Sequence, residues 1–207
     1  MLNIDLHPEV LPLSNTVSYY RPFNLAKEKG FNQKRERIWG DMLFGRKKKN
    51  VPQEVLVAAP LLGKVIAIEE VEDEAFSSKA MGEGIAIIPS EGKVIAPFDG
   101  TVAHIIEKSK HALVLEHKSG IQILIHVGMN TVSLKGEGFI AHVNTGEKMK
   151  KGQLLLEFDI DHIQEAGYSV VTPVIVPAGQ DLVKRVVTFQ GDGNDTRIDQ
   201  DLLRVLL

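Results

Sequence analysis

Cysteine is missing from all 207 residues, which excludes a disulfide framework and thiol chemistry within this chain and fits a cytoplasmic protein. Long apolar runs are missing as well: no stretch approaches the ~18 residues that span a bilayer. The opening MLNIDLHPEVLPLS has no positive segment followed by an apolar core, so no signal peptide is expected. A basic excess is absent too, and the formal charge of −3 argues against a general nucleic-acid binder. What remains is an ordinary soluble composition, 43% hydrophobic and 25% charged, sized for one domain with appendages or at most two small domains.

Residues 1–53 differ in texture from the rest. They hold the only tryptophan, Trp39, and two basic clusters, QKRER and GRKKKN, with poor hydrophobic periodicity. An extension or linker is expected there, disordered or partly helical, with the basic runs solvated rather than lipid-bound. Met42 opens MLFGRKKK, which reads as an alternative protein start. From Glu54 to Leu207 short apolar runs follow one another: EVLVAA, KVIAIEE, GIAIIP, KVIAP, TVAHII, ALVLEH, IQILIHV, GFIAHV, QLLLEF and VVTPVIV. Turn formers such as SEG, FDG, KSG and KGEG separate them. Runs this short and this rich in β-branched residues predict an all-β domain over 54–207, an antiparallel sandwich or flattened barrel. One or two short helical turns are expected, one at DIDHIQEAG with Asp159 or Asp161 as N-cap and Gly167 near its end, and DLLRV reads as a closing strand.

The stretch KHALVLEHKSGIQILIHVGMNTV places a histidine near each open end of a hairpin, His111 and His126. A loop centred on Lys118-Ser119 sets the two directly opposite each other, with Cβ atoms about 4.5–5.5 Å apart on one face. A three-residue loop centred on Ser119 shifts the register and sends them to opposite faces, unless the strand end re-aims a side chain. Three readings compete. Two hydrogen-bonded strand-end histidines is the plainest. A zinc site is short of ligands, with His117 the nearest third candidate and lying at the turn. A phosphoryl carrier would use one neutral imidazole to attack phosphorus and the other to steady the transferred group.

The segments MGEGIAIIP, VIAPFDGTV, KHALVLEHKSGIQILIHVGMNTVSLKGEGF and VTPVIV closely resemble the glucose-type IIA component of the bacterial phosphoenolpyruvate:sugar phosphotransferase system. The resemblance runs from about Val55 to Val176 and leaves residues 1–53 outside; LIHVGMNTVSLKGEGF alone carries most of it. It implies that His126 accepts a phosphoryl group on Nε2 from phospho-HPr and passes it to a IIB domain, usually to its cysteine. His111 matches the second histidine, which hydrogen-bonds that phosphate, and Ser109 is the candidate for the hydroxyl that orients His111. With no cysteine here, the IIB domain is expected on a separate chain. The resemblance further implies an apolar docking patch, aligned with Phe76, Met81, Leu113 and Leu124, and an acidic rim that includes Asp73. Asn130 stands where the family usually has Asp, a change bearing on partner choice more than on chemistry. No cofactor is implied, and zinc only at a partner interface. Regulated permeases or kinases are further candidate partners, and the membrane is reached only through the permease.

Other signals are weaker. The glycines of MGEGIAI and KGEGF, Gly82, Gly84, Gly136 and Gly138, lack the context of a phosphate-binding loop and read as turn glycines with positive φ. NTGEKMKKGQLL resembles the turn of lipoyl and biotinyl carriers without their lysine tip. A lysostaphin-type zinc peptidase needs His-x-His and His-x-x-x-Asp elements that do not occur here. A regulatory IIA-like binding protein with little turnover is the remaining alternative.

Overall fold

The computed structural model describes residues 53–189, 196–197 and 200–207. Apart from Gln53, the extension expected over 1–53 lies outside the described residues. All strands among the described residues pair antiparallel. The central sheet joins β2 (Gly63–Ala67), β3 (Gly82–Pro89), β11 (Thr172–Pro177), β7 (Gln122–His126), β6 (Ala112–His117), β5 (Gly100–Ile105) and β9 (Lys148–Met149), in that order. The described residues form two smaller sheets beside it. One joins β1 (Glu54–Ala58), β13 (Asp201–Leu206) and β12 (Arg185–Thr188); the other joins β4 (Lys93–Ile95), β10 (Leu154–Phe158) and β8 (Phe139–Ala141). The expected all-β class and the closing strand at DLLRV are both present.

The main core lies between the sheets and takes Val57, Leu155, Leu156, Leu203 and the inward residues of the central strands, among them Ile85, Leu113, Leu115, Ile123, Ile125 and Val174. A second, smaller cluster lies on the other face of the central sheet: Ala86, Ala112, Leu124 and Ile175, covered by Ile68, Val71, Phe76 and Met129. Central strands buried on both faces read as continuous apolar runs rather than alternating ones, which is why IQILIHV shows no period of two. The cover on that second face comes from a 3-10 turn (Ile68–Glu70) and from α1 (Glu74–Ser77). Asp73 caps α1, its Oδ1 accepting from Ala75 N at 2.9 Å. The second short helix, α2 (Ile160–Glu165), is capped by Asp159 and stops at Gly167, φ 84.

The structure selects one of the two hairpin registers and corrects one glycine reading. Of the two loop lengths open to the sequence, the β6–β7 loop takes three residues: Gly120 N donates to His117 O at 2.8 Å, and Gly120 takes φ 96, the left-handed closing residue of a type I turn with a bulge. Ala112, not His111, therefore pairs with His126, and Leu113 pairs with Ile125. The corrected glycine is Gly84, which lies inside β3 rather than in a turn; Gly82, the first residue of β3, has the expected positive φ, 141, and its N–H bonds back to Lys79 O at 3.0 Å. A Cβ on Gly84 would meet the Val174 carbonyl oxygen of β11 at 2.1 Å, so glycine is there for strand-to-strand approach. Gly136 and Gly138 have the expected positive φ, 95 and 78.

Candidate active site

The one-residue shift should send His111 to the inner face with Leu113 and Val127. It does not. His111 precedes β6 and follows Lys110, whose φ of 54 turns the chain just before the strand begins. Its carbonyl still accepts from Val127 N at 2.7 Å, while its ring meets that of His126 with centroids 4.7 Å apart and planes at 84°. The strand end re-aims the side chain and brings the pair together.

Each ring is held through Nδ1. His126 Nδ1 lies 2.9 Å from the carbonyl oxygen of Gly128. A carbonyl only accepts, so Nδ1 carries the proton and Nε2 keeps the lone pair. Gly128 is needed for that carbonyl to curl back: its φ is 71, and a Cβ would lie 2.5 Å from Thr131 Cγ2 and 2.7 Å from Ser169 O. Thr131, fully buried, locks the same turn by donating from Oγ1 to Val127 O at 2.6 Å. His111 Nδ1 lies 2.7 Å from Ser109 Oγ, and both residues are buried, 4% and 3% exposed. When the serine hydroxyl donates, Nε2 of His111 carries the proton and is a donor.

Burial holds both rings neutral. The His111 pKa is pushed down to about 4, by desolvation first and then by the repulsion a second positive charge would meet from protonated His126. That of His126 is also lowered by desolvation, opposed by the Gly128 carbonyl and by the carboxylate of Asp73. Phe76 contributes to that burial; its ring sits 5.2 Å from the His126 ring, tilted at 58°.

Of the residues expected at the site, His126, His111, Ser109 and Phe76 converge. Leu124, 1% exposed, forms the floor, and Met81 is half-buried at the edge of the same cluster. Asp73 stands close enough for its charge to act on His126. Asn130 is exposed at φ 59, a left-handed position that asparagine tolerates well, and opens the 3-10 turn Thr131–Leu134. Leu113 is corrected: it is fully buried in the main core, on the opposite face, and no partner can touch it. Val114 lies on the histidine face instead, half-buried beside the second cluster together with Ile66, Ile106 and Val171. The sequence held a signal for these, since moving the hairpin register by one residue exchanges Leu113 for Val114. His117 does not join the pair. It sits at the closed end of the hairpin, its Nδ1 2.9 Å from Ser119 Oγ and its ring edge-on to Phe98. Among the described residues no three His, Asp or Glu side chains converge as a metal set.

Residues 55–182 match the family model of the phosphoenolpyruvate-dependent sugar phosphotransferase system, EIIA 1. The glucose-specific EIIA component of Oceanobacillus iheyensis is 46% identical over 129 residues, 62% of this chain and 78% of that protein. Glucose permease IIA from Mycoplasma capricolum superposes with a TM-score of 0.64 at 29% identity, over 74% of this chain and 96% of the other. A paired-histidine site on this fold, within a sequence matched along most of the sandwich, is what a phosphoryl carrier requires; the chain belongs to the EIIA 1 family of the sugar phosphotransferase system and carries phosphoryl groups within it.

Proposed function

We propose that His126 is the phosphoryl acceptor, that His111 steadies the group once bound, and that Ser109 sets the tautomer of His111. The observation that carries this is the pair of rings at 4.7 Å with each Nδ1 already engaged, one by Gly128 O and the other by Ser109 Oγ. Nε2 is then the free nitrogen of both. In the forward step the Nε2 lone pair of neutral His126 forms the N–P bond while the bond from phosphorus to its donor breaks. Positive charge grows on the His126 ring, and the Nδ1–H bond to the Gly128 carbonyl strengthens as it does. The bound group is strongly anionic and rests in an apolar rim, where Nε2–H of His111 supplies a charge-assisted hydrogen bond. Transfer onward reverses the first step, with Nε2 as leaving atom. His126 Nδ1 keeps its proton in both directions, and a thiol acceptor gives up its own proton before it attacks phosphorus.

The phosphocarrier and sugar-permease components of the system are the partners of this family. At the finer level, HPr is the proposed donor and a IIB domain the proposed acceptor, whose thiol lies outside these 207 cysteine-free residues. Docking would use Met81, Val114, Ile66 and Val171, packed around the buried Phe76 ring, with Asp73 and Asn130 at the polar edge. Two histidines are too few for a zinc site in this chain, so a metal there would need ligands from a partner. Among the described residues no helix is long and apolar enough to cross a membrane. A cytoplasmic location, with the membrane reached through the permease, is part of the proposal. The glucose specificity of the relatives makes a glucose-class IIB the first acceptor to try.

Incubation with phosphoenolpyruvate, Enzyme I and HPr should add one acid-labile phosphoryl group by intact mass, and a purified IIB domain should then remove it. His126→Ala should accept none. His111→Gln should accept but donate poorly. Equal loss of acceptance in both variants would overturn the division of labour, and binding without turnover would point to a regulatory protein instead.

A further inference from the structure

The segment leaving β7 supports both histidines of the site. Gly128 supplies the carbonyl on His126. Eight residues on, Gly136 follows Lys135 in a left-handed pair, φ 54 and 95, in the KGEGF turn that leads into β8. A Cβ on Gly136 would lie 2.6 Å from the Lys108 carbonyl oxygen, with Ser109 Cα at 3.9 Å. Lys108 and Ser109 belong to the loop that delivers His111. Lys110 N donates to Ile106 O at 2.7 Å to close that loop, leaving its middle, Glu107 to Ser109, arched over with no ladder partner on the β5–β6 side. The KGEGF turn is the firmer body. Leu134 and Phe139 anchor it in the main core, and Glu137 N and Phe139 N bond back to Leu134 O and Gly136 O at 2.9 and 3.1 Å.

We infer that Gly136 is a positioning residue for His111: its bare Cα lets the KGEGF turn bear on the Lys108 carbonyl, and that contact holds Ser109 within reach of His111 Nδ1. One segment, from Val127 to Phe139, then sets the tautomers of both rings, His126 directly through Gly128 and His111 indirectly through Gly136. This rests on the division of labour proposed above for His126 and His111.

The test is Gly136→Ala in the full chain, with acceptance from phospho-HPr and donation to a IIB domain timed separately. Donation should fall by roughly tenfold, the scale of one lost hydrogen bond, with acceptance nearly unchanged. The ¹⁵N resonances of His111 should move from a single tautomer toward a mixture, a change that general loosening of the fold would not produce. Gly152→Ala is the control, since Gly152 has a similar φ of 81 and nothing within 4 Å of a built Cβ; it should leave donation and the His111 signals unaltered. Combining Gly136→Ala with Ser109→Ala should add nothing to the Ser109→Ala defect. Should alanine at 136 prevent folding, Leu134→Val shortens the anchor of the same turn and should lower donation alone by a smaller factor. Normal donation in a folded Gly136→Ala or Leu134→Val, with Ser109→Ala defective, overturns the role of Gly136 and leaves the division of labour standing. Normal donation in Ser109→Ala and His111→Gln overturns both.

Discussion

Lowering the pH should weaken this fold through His111 in a way that can be isolated. Its folded-state pKa is about 4 against an ordinary 6.5, because the ring is buried and stands beside His126. Below pH 6.5 the unfolded chain takes up a proton that the folded ring refuses, so stability falls as pH drops from about 6.5 towards 4 and levels off below that. Linkage between those two values gives a loss of about 2 kcal/mol from pH 7 to pH 5, and about 3 kcal/mol in full. His126 and His117 are depressed in the same direction by burial and steepen the wild-type curve. Subtracting the His111→Gln variant removes their share along with that of the carboxylates. The assay is urea unfolding of both proteins at half-unit steps from pH 7.5 to pH 4.5. With a denaturant slope of about 2 kcal/mol per molar, the difference in midpoint between the two should change by about 1 M from pH 7 to pH 5, in favour of the variant at low pH. A difference that does not vary with pH would show that His111 charges freely in the folded protein, and the argument for a neutral, donor-ready ring would fail.

Gly128→Ala should be destabilised by about 2–4 kcal/mol, from its left-handed φ and from the clash with Thr131 and Ser169, a fall in Tm of about 5–15 °C in a scanning melt. In the fraction that folds, the His126 tautomer should be mixed by ¹⁵N NMR and acceptance slower. Phe76→Ala should raise the His126 pKa towards 6.5 by re-admitting water to the ring; an NMR titration reads this, and acceptance at pH 6 should drop more than at pH 8. Leu113→Asp and Val114→Asp separate the two faces of β6. The first buries an unpaired charge in the main core and should not yield folded protein by circular dichroism, while the second should fold and raise the KM for phospho-HPr.

The strands were readable because each is a short β-branched run between turn formers, and α2 because Asp159 and Gly167 bracket it. The contribution of α1 to the site was not. Four residues give no periodicity, and its value lies in placing Phe76 over a ring that is fifty positions further along the chain. Leu113 failed as a docking residue for a different reason. In a strand buried on both faces neighbouring residues are equally apolar, so the pattern holds no record of which face is which, and the register alone decides it.

By itself the sequence determined the family, the all-β class, the absence of any thiol and the identity of the two histidines, since each depends on which residues occur and in what order. Only the tertiary structure decided that the rings meet. That outcome needs Gly120 to close a three-residue loop, Lys110 to turn the chain at the mouth of β6, and the Gly128 carbonyl and Ser109 hydroxyl to hold the two Nδ1 atoms. These are facts of backbone conformation and of contacts between distant segments, and a hydrogen bond of 2.7 Å leaves no trace in the spacing of letters along a chain.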